Sequence, residues 1–287
     1  MNSQDIYAEV TDRMIAELEQ GRVPWSEPWR SEVGQPRSID NRPYRGINAL
    51  LLGMSDYDDP RWGTFKAIQR HGGHVRKGER STVVVLWKPF TKRDAESGEQ
   101  SRGLMLRYFR VFNVEQADGL DLMPLDKLPN LEPDAISNVA HEVFTNYADG
   151  PVLHYGGDHA FYATIDDAVT LPDEASFTST QAFATTLFHE LTHSTGHKSR
   201  LNRDEVGSGR FGSETYGKEE LIAEMGAGMI AASVGIDPDY PQSAAYLRSW
   251  LEALKDDKRL LVSAAARAQK AADHVLGIEP PTIKDGS

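Results

Sequence analysis

The chain has 287 residues, 39% hydrophobic and 26% charged, which suits a folded globular protein with room for two domains or one large one. It contains no cysteine, so disulfides and thiolate metal ligands are excluded and any metal must be held by His, Asp or Glu. The net charge of −12 argues against a nucleic-acid partner until its distribution is read: residues 1–115 carry 18 basic against 16 acidic groups, the remaining 172 carry 13 against 27, and residues 37–93 carry 12 against 5.

In chain order, Ser3 is placed to cap a helix in which Ile6, Val10, Met14 and Leu18 recur every four residues, ending at Gly21. A segment with Pro24, Trp25, Pro28, Trp29 and Pro36 then excludes regular helix. Asn41 to Asn48 leads into a short helix through Ala49-Leu50-Leu51-Leu52, and Thr64 caps another through Phe65 and Ile68, closed by Gly72-Gly73. The turn Lys77-Gly78-Glu79-Arg80 precedes a β-branched run, Thr82 to Trp87, which pairs across a polar loop at 92–102 with a second strand through Leu104, Leu106, Tyr108 and Arg110. Residues 116–133, with Gly119, Pro124, Pro129 and Pro133, mark a domain boundary. Beyond it the pattern predicts a helix over 134–147, short strands at 152–155, 160–165 and 168–171, a helix over 179–195 stopped by Gly196, another at 216–234, and one long helical stretch over 243–275. A frayed tail is expected from Pro280 to Ser287. No apolar run approaches the roughly 18 residues of a membrane span, and the N-terminus has neither the basic nor the apolar region of a secretory signal, so a cytoplasmic protein without a membrane partner is expected.

The chemistry concentrates in Phe188-His189-Glu190-Leu191-Thr192-His193. Four residues apart on a helix, His189 and His193 lie one above the other and can grip one metal ion, with Glu190 beside it as general base. A catalytic metal usually has a third protein ligand. The peptidase pattern that ends in a third histidine is not met, because Ser199 stands at that position and His197 falls two residues too early. Glu220 on the next helix is the better third ligand, Glu219 its rival, and Glu224, four residues on, would orient a ligand histidine through its second nitrogen. Tyr216 and Tyr162 are the available oxyanion donors, and the strand at 160–165 offers an edge for an extended substrate. A satisfied polar network is the bland alternative for the histidines and a solvated helix face for the glutamates; two motifs at helical spacing on successive helices outweigh it. Zinc is the default ion, and a two-His, one-carboxylate set also accepts manganese.

Four of the five tryptophans, Trp25, Trp29, Trp62 and Trp87, are interleaved with the local excess of basic groups. Cations that track phosphates and aromatic faces that stack on bases point to single-stranded nucleic acid. Tryptophans packed in a core are the competing reading.

Several stretches carry a resemblance. Val10-Thr11-Asp12-Arg13, Pro43-Tyr44-Arg45-Gly46-Ile47-Asn48, Val75-Arg76-Lys77-Gly78-Glu79 and Phe109-Arg110-Val111-Phe112-Asn113 resemble the N-terminal domain of ArdC-type antirestriction proteins, a domain also found in TraC-type plasmid primases. Leu171-Pro172, His189 to His197, Ser199 to Arg203 and Glu219 to Glu224 resemble the zincin-like metallopeptidase domain of the same proteins; Ser194 stands where an aromatic is expected. The resemblance implies an α+β chain of two domains: a mixed α/β single-stranded-DNA-binding domain over 1–125, and a mainly helical zincin-like domain with a small sheet over 126–287. It implies DNA contacts at Tyr44, Arg45 and Asn48, extended to Lys66, Lys77, Arg80 and Trp87. It further implies a role in helping conjugating plasmid DNA escape host restriction, with restriction enzymes or another protein as candidate substrates. The alternatives are a DNA-coating accessory with a structural metal, and a protease whose N-terminal domain recruits a protein. Steeply salt-dependent binding to single strands would set the second apart.

Overall fold

A computed structural model describes residues 3–25, 33–93, 100–203, 206, 214–240 and 244–279. Pro28, Trp29, Gly207, Gly209, Gly212 and the tail from Pro280 lie outside the described residues, as do the side chains of Ser3, Trp87 and Tyr246. The fold is α+β with two domains: an N-terminal one built on a sheet and a C-terminal helical one with a second, smaller sheet.

Helix α1 (Ser3–Glu19) buries Ile6, Val10, Met14 and Leu18, the stripe that its four-residue spacing predicts. Strands β1 (Arg37–Ser38) and β2 (Arg61–Thr64) run parallel and flank α2 (Ile47–Gly53) in sequence; α3 (Phe65–Arg70) follows, its first turn closed by the Thr64 hydroxyl accepting from the Ala67 N–H. Strand β3 (His74–Val75) pairs with β6 (Ala117–Asp118) in a separate two-stranded ribbon. The hairpin of β4 (Thr82–Arg93) and β5 (Gln100–Asn113) completes a four-stranded sheet in the order β1-β2-β5-β4. It is longer than expected. Pairing continues through Lys92–Ser101 and Arg93–Gln100, inside the stretch read as a loop from its polarity. A polar strand pair of this kind extends by backbone hydrogen bonds and needs no buried face over its outer part.

No helix or strand occurs from Gly119 to Glu132. Helix α4 (Pro133–Asn146) opens with proline at its first position, where a missing N–H costs nothing. Strands β7 (Val152–Tyr155), β8 (Phe161–Ala163) and β9 (Ala168–Leu171) form the second sheet in the order β7-β9-β8, with β8 antiparallel at one edge. The helices α5 (Thr180–Ser194) and α6 (Glu214–Ser233) follow. The stretch expected as one long helix is two, α7 (Ala244–Asp256) and α8 (Leu260–Leu276). The break is made by Asp257, whose carboxylate accepts the Arg259 N–H at 2.8 Å, and it is held by Thr11 of α1, whose hydroxyl donates to the Lys258 carbonyl at 2.7 Å. A tertiary contact from 247 residues away decides it, and helical periodicity on either side gives no warning.

One apolar core draws on both halves, joining the α1 stripe, Leu50, Leu51, Val85 and Leu106 to Phe183, Leu187, Leu191, Ile230, Leu254 and Ala268. Small residues bring its helices close. A Cβ added at Gly228 of α6 would lie 2.5 Å from the Trp25 carbonyl oxygen and 3.1 Å from the Tyr240 hydroxyl. Gly228→Ala is therefore expected to destabilise by about 1–3 kcal/mol through overpacking, although alanine favours helix over glycine by roughly 1 kcal/mol. Denaturant unfolding measures the sign.

Candidate metal centre and nucleic-acid face

Helix α5 carries the H-E-x-x-H residues and is fixed at both ends. At its start Ser179 accepts the Ala182 N–H at 2.9 Å and donates to Asp239 at 2.7 Å. Phe183, Leu187 and Leu191 bury one stripe completely, which leaves His189 and His193 on the flank that meets α6. After Ser194 the chain folds back over the helix end: the Leu201 N–H donates to the Thr195 carbonyl and the Arg203 N–H to the Gly196 carbonyl. Gly196 is not a left-handed helix stop. Any Cβ there would overlap Val206 and crowd the Arg203 guanidinium at 3.2 Å, so the glycine makes room for the returning segment.

Three of the expected residues converge. The Nε2 atoms of His189 and His193 are 3.0 Å apart, and the Glu220 carboxylate lies 3.6 Å from the first and 3.5 Å from the second. One donor atom from each falls within 4.8 Å of the other two. Burial opposes charge on the His193 ring, but the bonds to Glu219 and Glu220 overcome it and push its pKa up to about 10; Glu220 is held well below the usual carboxylate range against its own burial by the same two histidines. His189 is raised on balance, burial being outweighed chiefly by Glu220. With the two Nε2 atoms this close, one proton at most sits between them, and the pair titrates as a unit.

Glu219 makes the contact expected of Glu224. Its carboxylate accepts from Nδ1 of His193 at 3.2 Å and from Arg203 at 2.6 Å and 3.1 Å. Arg203 in turn donates to the Thr192 carbonyl and the Thr195 hydroxyl, tying α5 to α6. Glu224 is one turn beyond Glu220; among the described residues its side chain has no hydrogen bond to either histidine, and burial raises its pKa. The reason is helical phase: Glu219 is turned about 100° from Glu220, toward Arg203, a placement that the α6 sequence alone cannot specify. Glu190 is buried beside His189, and among the described residues its carboxylate has no hydrogen-bond or ion-pair partner.

The other candidates near the centre are engaged elsewhere. His197 pairs with Ser199 at 2.7 Å and lies 3.8 Å from Asp167. Tyr162 donates to Asp167 at 2.7 Å and accepts from Arg200, whose buried guanidinium also grips Asp167, so this tyrosine locks the small sheet to the end of α5 and is not aimed at the histidines. Burial and Asp167 raise its pKa. Tyr216 is half-buried in the first turn of α6.

Of the expected DNA contacts, three turn inward. Tyr44 packs against the Leu52, Trp62, Val84 and Val111 cluster, and burial pushes its pKa up to about 12. Arg45 forms an ion pair with Asp273 of α8, while the Gly46 N–H donates to Gln269 at 2.7 Å. Asn48 spends its amide on the edge of β4, donating to the Val85 carbonyl at 2.7 Å and accepting the Val85 N–H at 2.8 Å. These three hold the fold together, because partners far along the chain reach them first. Lys66, Lys77 and Arg80 are exposed, and the Trp87 side chain is outside the described residues. A face that residue-by-residue reading missed is on the hairpin: Leu86 is paired with Arg107 and Val84 with Phe109, so Leu86, Lys88, Arg107 and Phe109 share one side, with Leu86 49% and Phe109 47% exposed. Strand alternation over 84–88 and 105–109 carried that signal.

Two family models match the chain: the N-terminal domain of anti-restriction factor ArdC over residues 4–114, and zincin-like metallopeptidase over residues 140–267. A DNA primase TraC of Escherichia coli is 36% identical over 303 residues; the alignment covers 97% of this chain, which spans 28% of the primase's length. The uncharacterized protein y4eC of Sinorhizobium fredii (strain NBRC 101917 / NGR234) is 36% identical, with 94% of this chain and 91% of that protein covered. The crystal structure of the antirestriction ArdC protein from the R388 plasmid superposes with a TM-score of 0.78 in its metal-free form, at 38% identity over 94% of this chain and 96% of that one. Its Mn(II)-bound form gives 0.76 at 37% identity over 95% and 97%.

Proposed function

The chain belongs to the ArdC antirestriction family, and on that premise we propose that it binds single-stranded DNA through its N-terminal domain, holds a divalent metal in its C-terminal domain, and protects incoming plasmid DNA from host restriction. The observation that carries the reading is the convergence of His189, His193 and Glu220. The donor set fits a divalent ion: two inward-facing imidazole nitrogens 3.0 Å apart repel unless a proton or a cation lies between them, and a carboxylate faces both. Glu219 accepts the Nδ1 proton of His193, which leaves Nε2 of that ring as the ligand atom. An all-nitrogen-and-oxygen set suits zinc or manganese.

When bound, the metal would acidify a coordinated water toward neutrality and polarise a scissile carbonyl. Glu190, buried and without a competing partner among the described residues, takes a proton from the attacking water on its carboxylate and returns it to the leaving nitrogen. The antiparallel edge strand β8 pairs only with β9 among the described residues and can take an extended peptide by strand addition.

For DNA, the exposed side of the β4–β5 hairpin supplies stacking surface at Phe109 and Leu86 with cations at Arg107 and Lys88, and Lys66, Lys77 and Arg80 extend the basic character. Binding of a labelled single strand, followed by anisotropy, is expected to weaken as salt rises with a log–log slope of about −0.7 per phosphate contacted. Phe109→Ala is expected to cost roughly 1–3 kcal/mol, the worth of one base–aromatic stack. Salt-insensitive binding, or full affinity in Phe109→Ala, would count against this face.

A further inference from the structure

The small sheet turns one face into the core and leaves the other bare. Leu153, Tyr162 and Val169 form a row across it that packs inward. The neighbouring rows, His154, Thr170 and Phe161, then Val152, Ala168 and Ala163, point the opposite way by strand alternation. On that outer side Val152 is 57% and Phe161 49% exposed, and Ile165, in the turn from β8 to β9, is 98% exposed. Strand β8 is also an edge, pairing with β9 and with no other strand among the described residues. Acids flank it on both sides: Asp158 precedes it by three residues and Asp166 follows it by three, both exposed. The surrounding chain supplies no cation, since residues 128–197 hold ten Asp and Glu and no Lys or Arg. Arg200, which reaches this lobe from outside that stretch, is taken by Asp167. An exposed edge is ordinarily guarded by lysine or proline against unwanted pairing. This one carries neither, and has apolar side chains beside it.

We propose that β8 docks an extended polypeptide segment with an apolar centre and Lys or Arg at both ends. The inference rests on the strand-addition reading above and names the class of substrate it selects. Main-chain hydrogen bonds to a sheet edge are open to any sequence, so side chains decide which segment stays. Paired along β8, the segment places every second side chain on the outer side, beside Phe161 and Ala163, with Ile165 extending the apolar strip. Its basic ends then meet Asp158 and Asp166, while an acidic segment meets like charge at the same two places. The same field sorts the two partners of the chain. A phosphate backbone is repelled from this lobe and drawn to residues 37–93, where 12 basic groups face 5 acidic ones. The polypeptide favoured here is therefore of the kind that itself binds nucleic acid through basic segments.

The test measures binding and not cleavage, on the full chain carrying Glu190→Ala so that no probe is consumed. The probes are labelled peptides with a Val-Thr-Val centre flanked by Lys and Arg, by Ser, or by Asp and Glu, followed by anisotropy. The basic peptide is expected to bind about tenfold or more tighter than the acidic one, with an affinity that falls as salt rises. Adding Asp158→Lys with Asp166→Lys should cost the basic peptide about tenfold and strengthen the acidic one. Glu252→Lys with Asp256→Lys makes the same charge change at exposed positions of α7 and should cost less than about threefold. Phe161→Ser should weaken all three peptides by about fivefold through lost apolar contact. Every substituted side chain is exposed, and an unchanged melting temperature establishes that each variant folds. Absence of binding by any peptide removes the strand-addition reading, and the proposal with it. Equal binding of all three peptides keeps that reading and overturns the substrate class. An equal loss from the α7 variant reduces the effect to net charge, and also overturns it. Self-association of the chain that Phe161→Ser abolishes, seen by sedimentation, would make a second copy the occupant and overturn it as well.

Discussion

Glu219→Ala should destabilise the protein by about 3–5 kcal/mol, the cost of stripping one partner from a buried ion pair. Arg203 and Glu219 are each 6% exposed, and the substitution leaves the guanidinium, among the described residues, with the Thr192 carbonyl and the Thr195 hydroxyl alone to satisfy it. For a chain of this size the melting temperature would fall by roughly 6–15 °C. Acid provides an independent signature. Burial alone would raise the Glu219 carboxyl, yet the bonds from His193 and Arg203 hold it below its ordinary value. A group whose folded pKa is depressed contributes stability above its unfolded pKa, about 4.3 for glutamate, and that contribution disappears as pH falls through the folded value. The wild type should therefore lose more stability than Glu219→Ala between pH 5 and 3, so that the two unfolding curves approach each other in acid. A second effect separates this glutamate from a merely structural one: without its grip on Nδ1 of His193, metal affinity should drop by about 10–100-fold. Arg203→Met with Glu219→Leu should recover much of the stability and none of the affinity, because packing replaces the pair while the histidine loses its orienting acceptor. Equal stability of Glu219→Ala and wild type would show that the pair is not the fastener between α5 and α6.

That fastener also marks where reading the sequence reached its limit. Period-four apolar spacing was enough to place α1, since Ile6, Val10, Met14 and Leu18 all bury on the stripe that the spacing defines. The β-branched run at 82–87 placed the hairpin, and β7 and β9 match the short strands expected at 152–155 and 168–171. Spacing by four likewise brought His189 and His193 together and put Glu220 across from them on the next helix. What spacing cannot supply is rotation about that helix, so the contact to Nδ1 of His193 expected of Glu224 is made by Glu219. Nor can it supply long-range competition for polar groups. Tyr44, Arg45 and Asn48 are the DNA contacts that the resemblance implies, but the Leu52–Trp62 cluster, Asp273 and the Val85 backbone engage them. The same blindness missed the break before α8, which depends on Thr11 and on the Asp257 carboxylate. In each case the deciding partner is either a neighbour of unknown phase or a residue remote in sequence.

Glu190→Ala should leave metal binding intact and reduce any hydrolysis by about 10²–10⁴-fold, the usual contribution of a positioned general base. The two readouts separate because Glu190 is not among the three convergent donors: its carboxylate is buried next to them, and its charge acts on both rings without a hydrogen bond to either among the described residues. His189→Ala is the complementary variant. It leaves one imidazole and one carboxylate, too few to hold a catalytic ion, so metal content by elemental analysis should fall with it while Glu190→Ala stays fully loaded. Both need to be measured near neutral pH, because metal uptake must displace the proton that Glu219 and Glu220 stabilise on the His193 ring, and it will weaken on acidification. Applied to plasmid transfer into a restricting host, the same pair of variants divides the function. If Glu190→Ala protects DNA as well as wild type while His189→Ala does not, the ion serves to brace α5 against α6 and the N-terminal face carries the protection. If both lose protection, cleavage of a host protein is part of the activity. Metal loss in Glu190→Ala would remove the basis for assigning it as the base, since the defect would then lie in the site and not in proton transfer.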